Sequence, residues 1–555
     1  MAFAPRSALM AQSSGFDPNE LGFRTWKQDL TSGFLVFLIA LPLCLGIAMA
    51  SGFPPIAGIL TAIVGGILGT VLGSARLTIK GPAAGLIVIA LGAVTELADP
   101  SDPTLGYKRA LAVGVVAGLL QIGLAAVRAG SLGDAFPPSA VHGMLAAIGV
   151  IIISKQAHTA MGVKPMAKEP LGLLAEIPHS FMNMNPEIFV IGAVSLVILF
   201  GMPKMPFKWA KKVPAPMLVV AVAILLEHLF DLEHDHSYSW HGHNYPVGPT
   251  YLVTLPGQLL NAIALPDFGV IFSGPSIKYI VMFLLVGSLE SLLSAKAVDQ
   301  LDPEHRHSDL NRDLLATGIA NTLASAIGGL PMISEIVRSS ANINSGAKSR
   351  LSNLFHGVFL LLFVLLLPGL LHQIPLAALG AMLIYTGLRL ASPAEFVKTF
   401  RIGADQLAVF TTTLVVTLAT DLLIGVMSGV LLEVVIHLGR GASPATMFTT
   451  HAESSAAEGQ TVLKVSKSAL FTNYIGLKKR IEDLSTSVDA LVLDFGNTQL
   501  VDHTVLEKLH HQVAEWQRAG KTLTIVGLDG HKTASAHEAA SRWKARGASS
   551  APSVG

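Results

Sequence analysis

The stretch GGLPMISEIVRSSANINSG, residues 328–346, sets a carboxylate, Glu335, and a guanidinium, Arg338, in an otherwise small and apolar run. A charged side chain at the bilayer centre costs about 2.5–3.5 kcal/mol on insertion scales, so these two need a reason to be there. Arg338 can offer fixed positive charge to an anion; the blander alternative is snorkelling, or an ion pair that only holds helices together. Glu335 would repel the same anion. At i, i+3 it can pair with Arg338 on one helical face, take up a proton when buried, or bind a cation. Glu290 stands within another apolar run, with Ser294 one turn later on the same face. Carboxylate, hydroxyl and nearby carbonyls supply hard oxygen ligands; the alternative is a helix-packing hydrogen bond. Lys296 lies near the end of that run, where snorkelling suffices. His142 and His356 are single histidines expected to pack through hydrogen bonds. The run EHDHSYSWHGH (233–243) offers zinc or copper ligands, but exposed acidic and histidine loops are usually just solvated, and no metal site is assigned to it.

The elements that carry these residues follow from composition. The chain has 555 residues, 51% hydrophobic and only 14% charged, against about 25% charged in soluble domains. Repeated apolar runs of about 17–20 residues make it a polytopic α-helical membrane protein. The single cysteine, Cys44, excludes an intramolecular disulfide framework and a cysteine zinc site. A net charge of +1 with no basic arm gives no sign of a nucleic-acid partner. The first 25 residues hold no apolar core with a cleavage-like site, so no cleaved signal peptide is read and the first helix directs insertion.

Fourteen segments are expected, at 31–50, 56–74, 82–97, 109–128, 138–155, 187–202, 214–231, 277–296, 311–326, 332–345, 352–371, 375–390, 404–419 and 421–438. The third and tenth are short, and each follows a Gly/Pro break, TIKGPAAG (78–85) and GGLPMIS (328–334). They hold the same ordinal place in a seven-plus-seven division, which points to inverted repeats with a midplane site. Each proline is expected to open a half-helix whose first N–H groups lack partners, with the helix dipole adding positive charge there. Two such ends facing each other make an anion cradle. The alternative is two ordinary spans kinked by proline. Basic loops at 203–212, 76–80 and 346–350 against acidic ones at 96–102 and 227–245 put both termini in the cytoplasm.

Composition changes near residue 440. Short β-rich runs at 462–465, 490–495 and 522–526 alternate with charged helical stretches, the pattern of a small α/β domain. The expected organisation is an N-terminal segment 1–25, a transmembrane region 26–440, a linker 441–459, the α/β domain 460–546 and a disordered tail 547–555.

In order along the chain, LPLCLGIAMASGFPPIAGI (41–59), GPAAG (81–85), ESLLSAKAVDQL (290–301) and GGLPMISEIVRSSANINSGAKSR (328–350) resemble motifs of the SulP family of anion permeases, and ALVLDFGNTQLVDHTVLEKL (490–509) resembles its STAS domain. The resemblance spans roughly 25–540. It implies a uracil-permease-like 7+7 fold of core and gate domains, usually dimeric, with substrate between the third and tenth half-helices and an elevator motion of the core. Departures are Leu43 beside Cys44 where the family often has Gln, the Ser334–Glu335–Ile336 triplet where small residues and Thr are common, and Lys80 before the third half-helix.

The expectation is a secondary active transporter of a small inorganic anion in the bacterial cytoplasmic (inner) membrane, not an enzyme. Ala83, Ala84, Gly85, Ser334, Glu335 and Ile336 would contact the anion and Arg338 would supply charge. Glu290, Ser294 and Glu335 are the candidate coupling residues, for sodium or a proton; the matching carboxylate and hydroxyl help bind sodium in the family's bicarbonate branch. No other cofactor is expected. Bicarbonate leads, from the likeness of these variant motifs to inorganic-carbon members; proton-coupled sulfate transport or exchange, a channel-like protein and a receptor-like one are the alternatives. A homodimer in contact with membrane lipid, and a regulatory partner for the STAS domain, complete the expectation. Related STAS proteins are phosphorylated at the DHTV position; here only Thr504 offers a hydroxyl, so regulation or dimer contact is the reading.

Overall fold

A computed structural model describes residues 23–544, apart from 103, 135, 207–212, 241, 255–261, 305 and 458–459. The expected tail, most of the N-terminal segment and the 207–212 half of the basic loop lie outside the described residues. A helix falls on each of the fourteen expected segments. Among the described residues, eight helices are long and apolar enough to cross a membrane, and four shorter apolar ones join them. The remaining two are Leu310–Ala326 and Ile336–Asn344. Their Asp313, Thr317, Asn321, Arg338, Ser339 and Asn342 are all buried. Helices this polar persist in a membrane because other helices enclose them and satisfy their polar groups.

The helices form two bundles. In the first, Trp26–Ala50 packs on Pro55–Leu72 and Leu351–Leu366, while Leu310–Ala326 packs on Leu105–Ala126 and Pro55–Leu72. In the second, Pro138–Ala160 packs on Leu376–Leu390 and Ala404–Ala419, with Leu422–Gly439 beside them. Each bundle has a close glycine crossing. A Cβ on Gly66 would meet the Gly357 Cα at 2.7 Å, and one on Gly387 would meet the Gly149 carbonyl at 2.7 Å. Lipid gives apolar helices little reason to associate, so backbone approach of this kind carries the packing.

Between the helices of the first bundle lie two three-residue strands, Lys80–Pro82 and Met332–Ser334. They pair antiparallel, with Lys80 opposite Ser334, Gly81 opposite Ile333 and Pro82 opposite Met332. The Glu335 N–H extends the ladder to the Ile79 carbonyl at 2.9 Å. Extended backbone at membrane depth must find partners inside the protein, and each triplet finds them in the other. This changes the expected role of the prolines. Pro82 closes its strand, and the third half-helix starts at Ala84 with Ala83 as its N-cap. Pro331 precedes its strand, so the tenth half-helix starts only at Ile336, with Glu335 at the N-cap position but making no side-chain capping bond. Arg338 is therefore the third residue of that helix, rather than two turns beyond the break.

The C-terminal α/β region has Gln460–Ala469 parallel to Ala490–Val501, which is parallel to Thr522–Val526. An edge strand, Ala452–Ala457, comes from the stretch read as linker; its sequence AESSAA lacks the apolar alternation that would reveal it. Leu463, Val465, Leu491, Leu493 and Phe495 form the core with Leu477, Ile481, Leu506 and Leu509 from the two helices, Tyr474–Ser485 and His503–Arg518.

Candidate functional site

The strand pair is held in place by side chains from surrounding helices. The Met332 N–H donates to Asn321 Oδ1 at 2.6 Å, and Asn321 Nδ2 donates to the Met332 carbonyl at 3.1 Å and to Gln121 Oε1 at 2.7 Å. The Lys80 N–H donates to Asn353 Oδ1 at 3.2 Å, while Asn353 Nδ2 donates to the Gly65 carbonyl at 3.1 Å. Ser339 Oγ accepts from the Ile79 N–H at 2.9 Å and donates to the Glu335 carbonyl at 2.6 Å. Amide side chains suit this work because one group donates and accepts at once. The sequence showed these residues as polar in apolar surroundings, but not which backbone they would hold.

The two basic residues have different surroundings. Lys80 is fully buried. Its Nζ lies 2.8 Å from Asp313 Oδ1 and donates to Thr317 Oγ1 and Ser334 Oγ, each at 2.7 Å. Its charge is matched and all three of its donor directions are used. Arg338 is 1% exposed. One terminal nitrogen donates to the Pro82 carbonyl at 3.1 Å, the other lies 3.5 Å from Cys44 Sγ, and Nε has no acceptor. Among the described residues no carboxylate forms an ion pair with it, so the Glu335–Arg338 pair allowed by their spacing does not form. Arg338 spans instead from its own half-helix to the strand leading into the other.

The carboxylates converge on the third half-helix. Glu290 is 6% exposed, and neither of its oxygens has a hydrogen-bond donor. A Cβ on Gly85 would fall on this carboxylate, so glycine there makes its position available. The Glu335 carboxylate reaches the Ala84 N–H. Negative groups at a helix start are favoured by its free N–H groups and dipole. Glu290 follows a π-helical turn, Phe283–Gly287, within the continuous helical run Gly274–Leu301; such turns re-aim the residues that follow.

Of the expected contact residues, Ala83, Ala84, Gly85 and Ser334 are buried at the strand pair and the first turn beyond it. Ile336 is 42% exposed. Ser294 is half-buried, with no hydrogen bond to Glu290 among the described residues. The serine that meets the strands is Ser291, whose Oγ accepts from the Ser334 N–H at 3.1 Å. The i, i+4 rule identified a shared face but not the neighbour that face would meet. Lys296 does not snorkel; it donates to Asp134 Oδ1 at 2.5 Å. His142 lies 3.5 Å from Glu395, and His356 is buried with neither ring nitrogen hydrogen-bonded. Thr504 is 1% exposed, in the first turn of the helix that Asp502 caps.

Residues 26–413 match the family described as Sulfate permease family. The Bacillus subtilis protein named "Putative sulfate transporter YvdB" is 25% identical over 527 residues, 92% of this chain and 94% of that one. The bicarbonate transporter BicA of Synechocystis sp. is 24% identical over 433 residues, 76% of this chain and 71% of its own. Among solved structures, the transmembrane domain of a cyanobacterial bicarbonate transporter BicA is similar with a TM-score of 0.62 at 22% identity, covering 74% of this chain and 98% of that one. The murine solute carrier 26 family member A9 anion transporter, inward-facing, is similar with a TM-score of 0.66 at 15% identity, covering 94% of this chain and 90% of its own. That overlap takes in the C-terminal α/β region, which is consistent with a STAS domain.

Proposed function

The chain belongs to the sulfate permease family, an integral membrane anion transporter rather than an enzyme, and from this premise we propose that it moves bicarbonate together with sodium. One observation carries the coupling. Two carboxylates, Glu290 and Glu335, gather at the start of the third half-helix without an ion pair among the described residues, beside an Arg338 that forms no ion pair with a carboxylate there either. An anion approaching that half-helix meets two negative groups as well as the helix end. A sodium ion or a proton on the carboxylates removes the repulsion and lets Arg338 and the two helix starts hold the anion. The anion site in this reading comprises Ala83, Ala84, Gly85, Ser334, Glu335 and Ile336 with Arg338, and the coupling site Glu290 and Glu335, with Ser294 the remaining candidate ligand.

The finer architecture is part of the same reading. It comprises a 7+7 inverted repeat with the first bundle as mobile core and the second as gate, an elevator motion between them, a homodimer, and a bacterial cytoplasmic membrane with both termini inside. The matched positions of the two broken segments support the repeat, and the lysine-rich loops support the orientation. The domain limits 26–440 and 460–546 belong here as well. Bicarbonate draws support from the likeness to the cyanobacterial transporter named for it, and sulfate, the second reading, from the Bacillus relative's name.

The deciding experiment is uptake of radiolabelled bicarbonate and sulfate into proteoliposomes at fixed pH, with and without an inward sodium gradient. Sodium-stimulated bicarbonate uptake is expected. Proton-driven sulfate uptake would keep the site and move substrate and coupling to the second reading.

A further inference from the structure

At the far end of the seventh helix, Ala215–Phe230, a group of ligating side chains has no part in anion transport as described above. Glu227 is completely buried in the last turn of this helix, yet neither of its carboxylate oxygens has a hydrogen-bond donor. His228 Nδ1 lies 2.9 Å from Glu227 Oε2 without forming that hydrogen bond. The helix ends at Asp231, whose left-handed backbone (φ 49°) turns the chain back, with the Asp231 and Leu232 N–H groups returning to the Glu227 carbonyl. The turn brings Glu233 over the helix end, where Gln373 Nε2 donates to its Oε1 at 3.3 Å. One ligand atom each from Glu227, His228 and Glu233 then lie within 4.8 Å of one another.

A buried carboxylate without donor or cation is expensive, and here Asp231 and Glu233 add to the negative field around Glu227. A nitrogen and an oxygen 2.9 Å apart that miss hydrogen-bond geometry are spaced as two ligands of one cation are. We infer that Glu227, His228 and Glu233 bind a divalent transition metal of the zinc class, which ties the loop after residue 230 to the end of the seventh helix. The imidazole sets the class: magnesium and calcium take oxygen ligands, while two carboxylates and one histidine suit zinc. The site lies at the face away from the α/β domain, because the chain runs from Gln373 through the helix Leu376–Leu390 to Arg401, which touches that domain through Ser535. Among the described residues of the histidine-rich run at 233–243, Glu233 is the one that takes part.

The test is zinc titration of the full-length protein in detergent against a fluorescent chelator, with magnesium and calcium as competitors. About one zinc per chain is expected. Affinity should fall at least tenfold in both Glu227→Gln and His228→Asn, and stay unchanged in His243→Ala on the exposed hairpin. His228 is half exposed, so its variant still reports if Glu227→Gln does not fold. Equal zinc affinity in His228→Asn and the wild type would overturn the site, as would loss of binding only in His243→Ala. Displacement of zinc by equimolar magnesium would overturn its class.

Discussion

Lys80 and Arg338 are both buried cations, but only Lys80 has a full set of partners, so replacing them should have different effects. Replacing Lys80 by Met leaves Asp313 charged and unpaired among helices, a loss of about 3–5 kcal/mol. The double variant Lys80→Met, Asp313→Leu should recover most of that in thermal unfolding in detergent, since an apolar pair of similar volume carries no desolvation cost. Arg338→Gln should express normally and weaken anion binding about tenfold or more, the scale of a hydrogen bond to a charged group, about 1.5–3 kcal/mol. Unchanged affinity would assign Arg338 to packing alone. Glu290→Gln should transport at a rate indifferent to the sodium gradient. Uptake that still rises with the gradient would remove Glu290 from the coupling site.

At the scale of elements, the paired strands fix where the two half-helix starts lie relative to each other. A short helix start has free N–H groups but nothing to aim it; the ladder from Ile79 and Lys80 to Ser334 and Glu335 fixes both starts to one frame. The frame also explains the demand for glycine at its edge. Gly85→Ala would push a methyl group into the Glu290 carboxylate and should lower uptake at least tenfold with the protein still folded. Gly123→Ala, where a Cβ meets nothing within 4 Å, serves as the control and should leave uptake unchanged.

Across the whole molecule, the α/β domain touches both bundles. On the first-bundle side, Asp134 takes Lys296 at 2.5 Å and Lys478 at 2.9 Å, and its backbone carbonyl accepts from Lys508. On the second, Ser535 donates to the Ile402 carbonyl at 2.7 Å and Asp502 lies 3.7 Å from His437. The proposed movement of one bundle against the other would stretch or break one set, which makes Asp134 the residue at which to test restraint by the domain. Burial alone would raise the Asp134 carboxyl, but the surrounding lysines outweigh it and hold it at about 2, against an ordinary 3.8. Its contribution to docking is thus fully present above about pH 4 and is lost as pH falls through 2. Asp134→Asn should increase hydrogen exchange in the helices Tyr474–Ser485 and His503–Arg518. The wild-type protein should keep its protection there from pH 5 to 7, below the value of about 8 to which burial lowers the Lys508 ammonium that also docks on Asp134, after correction for intrinsic exchange. A drop in that window would place the docking charge elsewhere.

Hydrophobic run length, which is local, located the fourteen segments on each of which a helix falls, and apolar alternation between charged helical stretches located the α/β domain. Burial cost was enough to single out Glu290, Glu335 and Arg338, because a charge in an apolar run is conspicuous in one dimension. Partners depend on distances that cross 200 residues or more, and no local pattern encodes those. Lys80 finds Asp313, Asn353 holds Gly65, and Glu335 reaches Ala84 without closing an ion pair to Arg338. The extended triplets after Ile79 and Pro331 were hidden for the same reason. Each is too short to carry a strand pattern, and it is extended only because the other triplet lies beside it to take its hydrogen bonds.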